Sequence, residues 1–198
     1  CTCPSRGLID KKIYDKFLGD VTKRTQAIVQ GHPLDVATMI GAQASNDQLE
    51  KILSYIDIGK KEGAKLITGG ERADLGGELS GGFYVTPTIF EGNNKMRIFQ
   101  EEIFGPCCHI RPFDTDEEVI KLANDTKYGL ATTIWTTNLA RAHTVAAKVD
   151  VGITWVNSWF LRDLRTAFGG SKQSGIGREG GVHSLEFYTE TRNICVKL

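Results

Sequence analysis

Apolar positions in the first third of the chain recur at helical spacing. Ile13, Phe17, Val21 and Ile28 fall on one face of a helix predicted over residues 13–30, which Gly31-His32-Pro33 would end. Leu49, Ile52, Leu53 and Ile56 make a second stripe over residues 47–62, with Asn46 or Asp47 available as its cap. Lys65-Leu66-Ile67-Thr68, closed by Gly69-Gly70, then reads as a short strand. Residues 69–82, rich in Gly and acidic groups, read as an exposed connection. The run 83–90 is β-prone but contains Pro87, which places it at a sheet edge or gives it a break. Residues 107–112 are a further strand.

Beyond that point the rhythm is regular: helix over 117–124, strand over 130–135, helix over 139–148, strand over 153–156. Such alternation predicts an α/β fold with a parallel sheet and helices on both its faces, because parallel neighbours need a crossover between them. Ligands in such sheets bind beyond the carboxyl ends of the strands, so residues 157–165 are expected to border a binding crevice. Residues 171–181 form a second Gly-rich turn. The chain ends on alternating Ile194, Val196 and Leu198, and residues 189–198 are expected to pair as an edge strand with another subunit. There is no internal repeat, low-complexity tract or linker that divides the chain.

Composition narrows the class. The 198 residues are 40% hydrophobic and 24% charged, as in a globular protein. Lys plus Arg and Asp plus Glu number 24 each, so no long-range field favours nucleic acid or an anionic membrane as partner. No window approaches the roughly 20 apolar residues of a membrane span, and no basic region followed by an apolar run opens the chain, so a cytoplasmic location is expected. The five cysteines are odd in number and read as reduced thiols. Of these, Cys3, Cys107, Cys108 and Cys195 are expected to pack as small hydrophobes. Cys1-x-Cys3 with Cys107-Cys108-His109 does not match the spacing of zinc ligands, and no metal is expected.

One local pattern suggests a ligand. In Glu102-Ile103-Phe104-Gly105-Pro106 a carboxylate and an aromatic stand two residues apart, on the same side of an extended segment. A carboxylate accepts hydrogen bonds from a sugar diol, and a ring packs on a flat heterocycle, as a nucleotide cofactor requires. A solvated charge beside a core Phe is the alternative.

That block, the opening Cys1 to Arg6, and Phe168-Gly169-Gly170-Ser171-Lys172-Gln173-Ser174-Gly175 with Gly177-Arg178-Glu179 resemble the catalytic half of NAD(P)-dependent aldehyde dehydrogenases, in the family's order and spacing. The resemblance covers the whole chain. It implies that Cys1 is the nucleophile, that Glu102 holds the ribose beside the nicotinamide, that Phe104 packs near the nicotinamide ring, and that Glu179 helps organise water or protons. Lys172 is expected to be structural. The implied chemistry is thiolate addition to an aldehyde, hydride transfer to the cofactor and hydrolysis of a thioester. NAD is the expected cofactor, with NADP open. The family's general base, its second oxyanion donor and its phosphate-binding fold precede the nucleophile. The implied division is therefore a nucleophile-bearing domain over residues 1–188, an oligomerisation strand over 189–198 and a cofactor-binding domain upstream. A homodimer or homotetramer is implied as well.

The segment 155–165, together with 179–188, is similar to 2-hydroxymuconic semialdehyde dehydrogenases of aromatic ring cleavage. Their substrates carry a carboxylate beside the aldehyde. An arginine fork suits a carboxylate, and Arg162 is favoured over Arg165 by its place near the middle of the loop. Trp159 and Phe168 are expected to contact substrate with it. Pairing of both arginines with Asp163 or a neighbouring loop is the competing reading. Residues 32–70 look closer to broad aliphatic aldehyde dehydrogenases. A noncatalytic or oligomer-forming module and a cysteine hydrolase remain as alternatives, the latter without a recognisable Cys-His signature.

Overall fold

A computed structural model describes all 198 residues. They form two compact units: Cys3–Leu122 is one, and Cys1–Thr2 with Ala123–Leu198 is the other. The first holds β1 (Arg6–Asp10), α1 (Tyr14–Gln26), α2 (Asn46–Lys61), β2 (Lys65–Thr68), β3 (Arg72–Ala73), β4 (Tyr84–Val85), β5 (Thr88–Glu91), α3 (Arg97–Gln100), β6 (Cys107–Phe113) and most of α4 (Asp116–Asn124). The second holds the end of α4, then β7 (Tyr128–Gly129), β8 (Ala131–Ile134), α5 (Leu139–Lys148), β9 (Ile153–Val156), β10 (Ser171–Lys172) and α6 (Gly181–Tyr188). The boundary falls inside a helix, which is why no linker composition marks it in the sequence.

In the Cys3–Leu122 unit the main sheet has the order β1-β6-β5-β2. β6 pairs parallel with both β1 and β5, and β2 closes the edge antiparallel. Pro87 breaks the run 83–90 into β4 and β5, but β5 is an inner strand; its continuous buried Thr88-Ile89-Phe90 suits a strand covered on both faces. α2 buries Leu49, Ile52, Ile56 and Gly59, a stripe at intervals of three and four residues, into a core with Val85, Phe90, Ile98, Phe99 and Ile103. Its cap is Ser45 rather than Asn46 or Asp47: the Ser45 hydroxyl accepts from Gln48 N at 3.2 Å. Of the predicted stripe, Ile13 is exposed and Phe17, Val21 and Ile28 are half-buried. Tyr14 is the buried residue of α1, while Ile13, Phe17 and Val21 line a shallow groove with Lys16, Asp20 and Arg24.

His109, in the middle of β6, is 1% exposed between the rings of Phe90 and Phe99. Its Nδ1 lies 3.1 Å from Ser5 O, and its Nε2 is buried without a partner. Burial pushes its pKa down from 6.5 to about 4, against a smaller opposing effect of the Ser5 carbonyl. A folded value below the unfolded one makes the neutral ring's contribution complete above pH 6.5; it is lost as pH falls through about 4. At 1.36 kcal/mol per unit the full loss is about 3 kcal/mol. Urea unfolding at pH 7 and pH 4 should show this fall, reduced in His109→Phe; an equal fall in both proteins would remove His109 as its source.

In the other unit β8 and β9 pair parallel in register from Ala131↔Ile153 to Ile134↔Val156, and α5 makes the crossover. Asn138 caps α5 by accepting from Arg141 N, and Ala142 and Val145 are its buried residues. β7 and β10 form an antiparallel pair. The tail from 189 to 198, expected as a strand, has no ladder partner within the chain and forms none. α6, for which the sequence reading places no element, precedes that tail.

Candidate active site

The loop after β9 is held in an unusual shape. Asn157 and Phe160 both take positive φ, 51° and 59°, a region few side chains visit. Asn157 is fixed by a two-point clasp on Thr136, whose N donates to its Oδ1 at 2.9 Å and whose O accepts from its Nδ2 at 2.8 Å. Thr133 Oγ1 donates to Ser158 O at 2.7 Å, and Trp155 Nε1 to Leu161 O at 2.8 Å, so the first half of the loop is tied to the β8–β9 pair. Trp159 packs against Phe160 with ring centroids 5.6 Å apart and donates from Nε1 to Thr2 O at 3.1 Å. That bond joins the segment of the exposed Cys1 to the loop that carries Arg162.

Three further predicted residues meet in the same unit. Arg162 Nη2 donates to Glu179 Oε1 at 2.7 Å, and its guanidinium lies 4.0 Å over the Phe168 ring. Phe168 and Glu179 exchange backbone hydrogen bonds of 2.8 and 2.7 Å in an isolated antiparallel bridge. Arg165 instead forks onto Asp163 and holds that carboxyl below the usual range. The two arginines therefore differ. Arg165 spends its fork on its own loop, whereas Arg162 bridges to a second loop, and the Glu179 carboxylate faces a cation.

The Gly-rich turn is a tightly packed floor. A Cβ on Gly152 would lie 1.6 Å from Gly169 O, and one on Gly177 would meet the Phe187 ring at 2.2 Å. Arg178 ties the turn by donating from Nη1 to Gly170 O at 2.7 Å and to Gly177 O at 2.9 Å. Its only signal in the sequence is an arginine inside a Gly-rich turn whose carbonyls need donors. Lys172 sits at φ 55° and donates to Asn124 O and Thr126 O, a structural place as expected.

Glu102 and Phe104 belong to the Cys3–Leu122 unit. Ile103 between them is buried in the core, and both neighbours are exposed, Phe104 by 60%. The segment is not the extended one expected, because Phe104 takes φ 57°. Gln48, also unassigned from the sequence, fixes the backbone by donating from Nε2 to Ile103 O at 3.1 Å and Phe104 O at 2.6 Å. An exposed carboxylate and an exposed ring thus flank a buried anchor, and such groups are of the chemical kind that meets a sugar diol and a flat heterocycle.

Of the remaining thiols, burial pushes Cys107 up to about 12 and Cys108 up to about 11, so both stay protonated near neutral pH. Cys3 and Cys195 are exposed, contrary to the packing expected of them, because each lies in an irregular terminal segment outside the sheets. No group of three His, Cys, Asp or Glu side chains is placed to hold a metal ion.

A mostly parallel α/β sheet, a Gly-rich turn and a cysteine beside an aromatic, arginine-bearing loop define the class of protein. The profile described as "Aldehyde dehydrogenase family" matches residues 1–194, and the chain belongs to that family. It is 58% identical over 196 residues to a fluoroacetaldehyde dehydrogenase from Streptantibioticus cattleyicolor, covering 99% of this chain and 39% of that protein. It is 54% identical over 199 residues to a 2-hydroxymuconic semialdehyde dehydrogenase from Pseudomonas sp. strain CF600, covering 100% of this chain and 41% of that protein. The NAD+ complex of an aldehyde dehydrogenase from Bacillus cereus superposes with a TM-score of 0.89 at 42% identity, over 94% of this chain and 37% of that one. The chain thus spans about two fifths of the length of these relatives.

Proposed function

We propose that these residues form the nucleophile-bearing part of an aldehyde dehydrogenase that oxidises a carboxylated semialdehyde, such as 2-hydroxymuconic semialdehyde, to the acid with NAD(P). The observation that carries the reading is the Trp159 Nε1 to Thr2 O bond, which sets the Cys1 segment beside the loop bearing Arg162.

Cys1, as thiolate, adds to the aldehyde carbon, and its own backbone N–H is suited to donate to the oxyanion that forms. Glu102 and Phe104 are the residues suited to hold the ribose and nicotinamide. When bound, NAD(P) supplies the two-electron acceptor for the hydride. Water then cleaves the resulting thioester, releasing the acid and regenerating the thiolate. Arg162, stacked on Phe168, is suited to take the substrate carboxylate, with Trp159 lining the approach. The tail 189–198 is read as a strand contributed to a partner subunit of a homo-oligomer. A cytoplasmic place is part of the same reading; no helix is long and apolar enough to cross a membrane.

A second reading, a broad aliphatic aldehyde dehydrogenase, is favoured by the contact that already engages Arg162 with Glu179. Substrate comparison separates the two. In a chain extended to the length of the relatives, NADH absorbance is followed with acetaldehyde and with the semialdehyde. Arg162→Ala should lower kcat/KM for the semialdehyde by about 10²-fold, as expected for a lost charged hydrogen bond, and acetaldehyde turnover far less. Equal effects on both substrates would support the aliphatic reading.

A further inference from the structure

Resting on the Arg162 reading, the contact with Glu179 has a consequence for substrate choice. Arg162 has one anion within reach, Glu179 Oε1 at 2.7 Å on Nη2, while its Nε is buried with no acceptor. The Phe168 ring fixes the guanidinium plane from one face. The reciprocal backbone bonds of Phe168 and Glu179 hold position 179 next to that ring whatever its side chain. The carboxylate is the looser member of the pair: its side chain is 56% exposed against 25% for Arg162. Exposed ion pairs contribute little and break readily, whereas a mostly enclosed guanidinium without a counter-charge is unfavourable. A second carboxylate brought to the same cation would be repelled by the first.

We propose that Glu179 is a resident competitor for Arg162: an internal carboxylate that neutralises the arginine while an uncharged aldehyde is bound, and yields it when a carboxylated aldehyde arrives. Glu179 is then a specificity-determining residue, weighting the enzyme against carboxylated substrates by the effort of its own displacement. Removing its charge while keeping its shape leaves Arg162 uncompensated and strengthens its hold on an incoming carboxylate.

The test uses the full-length protein, with trans,trans-muconate as a nonreacting dicarboxylate probe and calorimetry as the readout. Glu179→Gln should tighten muconate binding by about three- to tenfold, as expected for lifting a partly exposed ion pair, and Glu179→Ala should act in the same sense. The ratio of KM for acetaldehyde to KM for the semialdehyde should rise with it. On an Arg162→Ala background Glu179→Gln should have no effect on muconate. Unchanged or weaker muconate binding in Glu179→Gln, or equal tightening with and without Arg162, overturns the competitor role. If Arg162→Ala alone leaves muconate binding intact in the Glu179→Gln protein, it is the carboxylate grip itself that fails.

Discussion

Replacing Cys1 by Ala should reduce aldehyde-dependent NADH formation by about 10³-fold or more in a chain of the relatives' length, the scale of losing a covalent nucleophile. The two thiols on β6 offer no substitute. Burial holds the Cys107 and Cys108 thiols at about 12 and about 11, where the thiolate is scarce at neutral pH. Cys3 is the instructive control: it is also exposed, two residues along, yet the Trp159 bond is made to Thr2 and fixes the chain immediately after Cys1. Cys3→Ala should retain most of the turnover. Steady-state rates of the two variants, with circular dichroism to show an unaltered fold, make the comparison; loss in Cys3→Ala with retention in Cys1→Ala would reverse the assignment.

Gly152→Ala is expected to be the most damaging single substitution for stability. Its new methyl group would lie 1.6 Å from Gly169 O, a backbone atom that no rotamer change can move. Gly152 N also donates to Gly129 O at 2.9 Å, so the segment leading into β9 cannot shift without losing that bond. Overpacking of this kind is worth about 3 kcal/mol or more when the backbone must give way. The same displacement would push on Gly169, next to Phe168, and through Phe168 on Arg162 and Glu179. Reduced urea midpoints for Gly152→Ala, with Gly19→Ala as a glycine substitution into open space at ordinary backbone angles, would show the effect of close approach apart from that of the residue type. A midpoint equal to that of the unsubstituted protein would mean that the two segments are not in contact.

How much of this was legible beforehand depended on whether a feature is local. β2, α5 and β9 lie where the apolar period and its Gly or Asn punctuation place them, because each is decided within about ten residues. β1 was not recognised: Arg6-Gly7-Leu8-Ile9-Asp10 is short, charged at both ends, and becomes a strand by pairing with β6 about a hundred residues away. Of the two outcomes that Pro87 allows, an edge or a break, the break is the one realised: the proline lies between β4 and β5, and β5 is an inner strand. At the site, the exposed Glu102 and Phe104 around buried Ile103 followed from a two-residue period. The Arg162–Glu179 pair did not, since it spans 17 positions and depends on the bridge between Phe168 and Glu179.

Cys1 is expected to carry the acyl group during turnover, and that adduct can be read directly. The full-length protein, mixed with excess aldehyde and NAD, is quenched in acid within one turnover, digested and mapped by mass spectrometry. The acyl group should be found on Cys1, and only when NAD is present. An acyl group on Cys3 or Cys108, or NADH formed with no acyl-cysteine at any time, would contradict it.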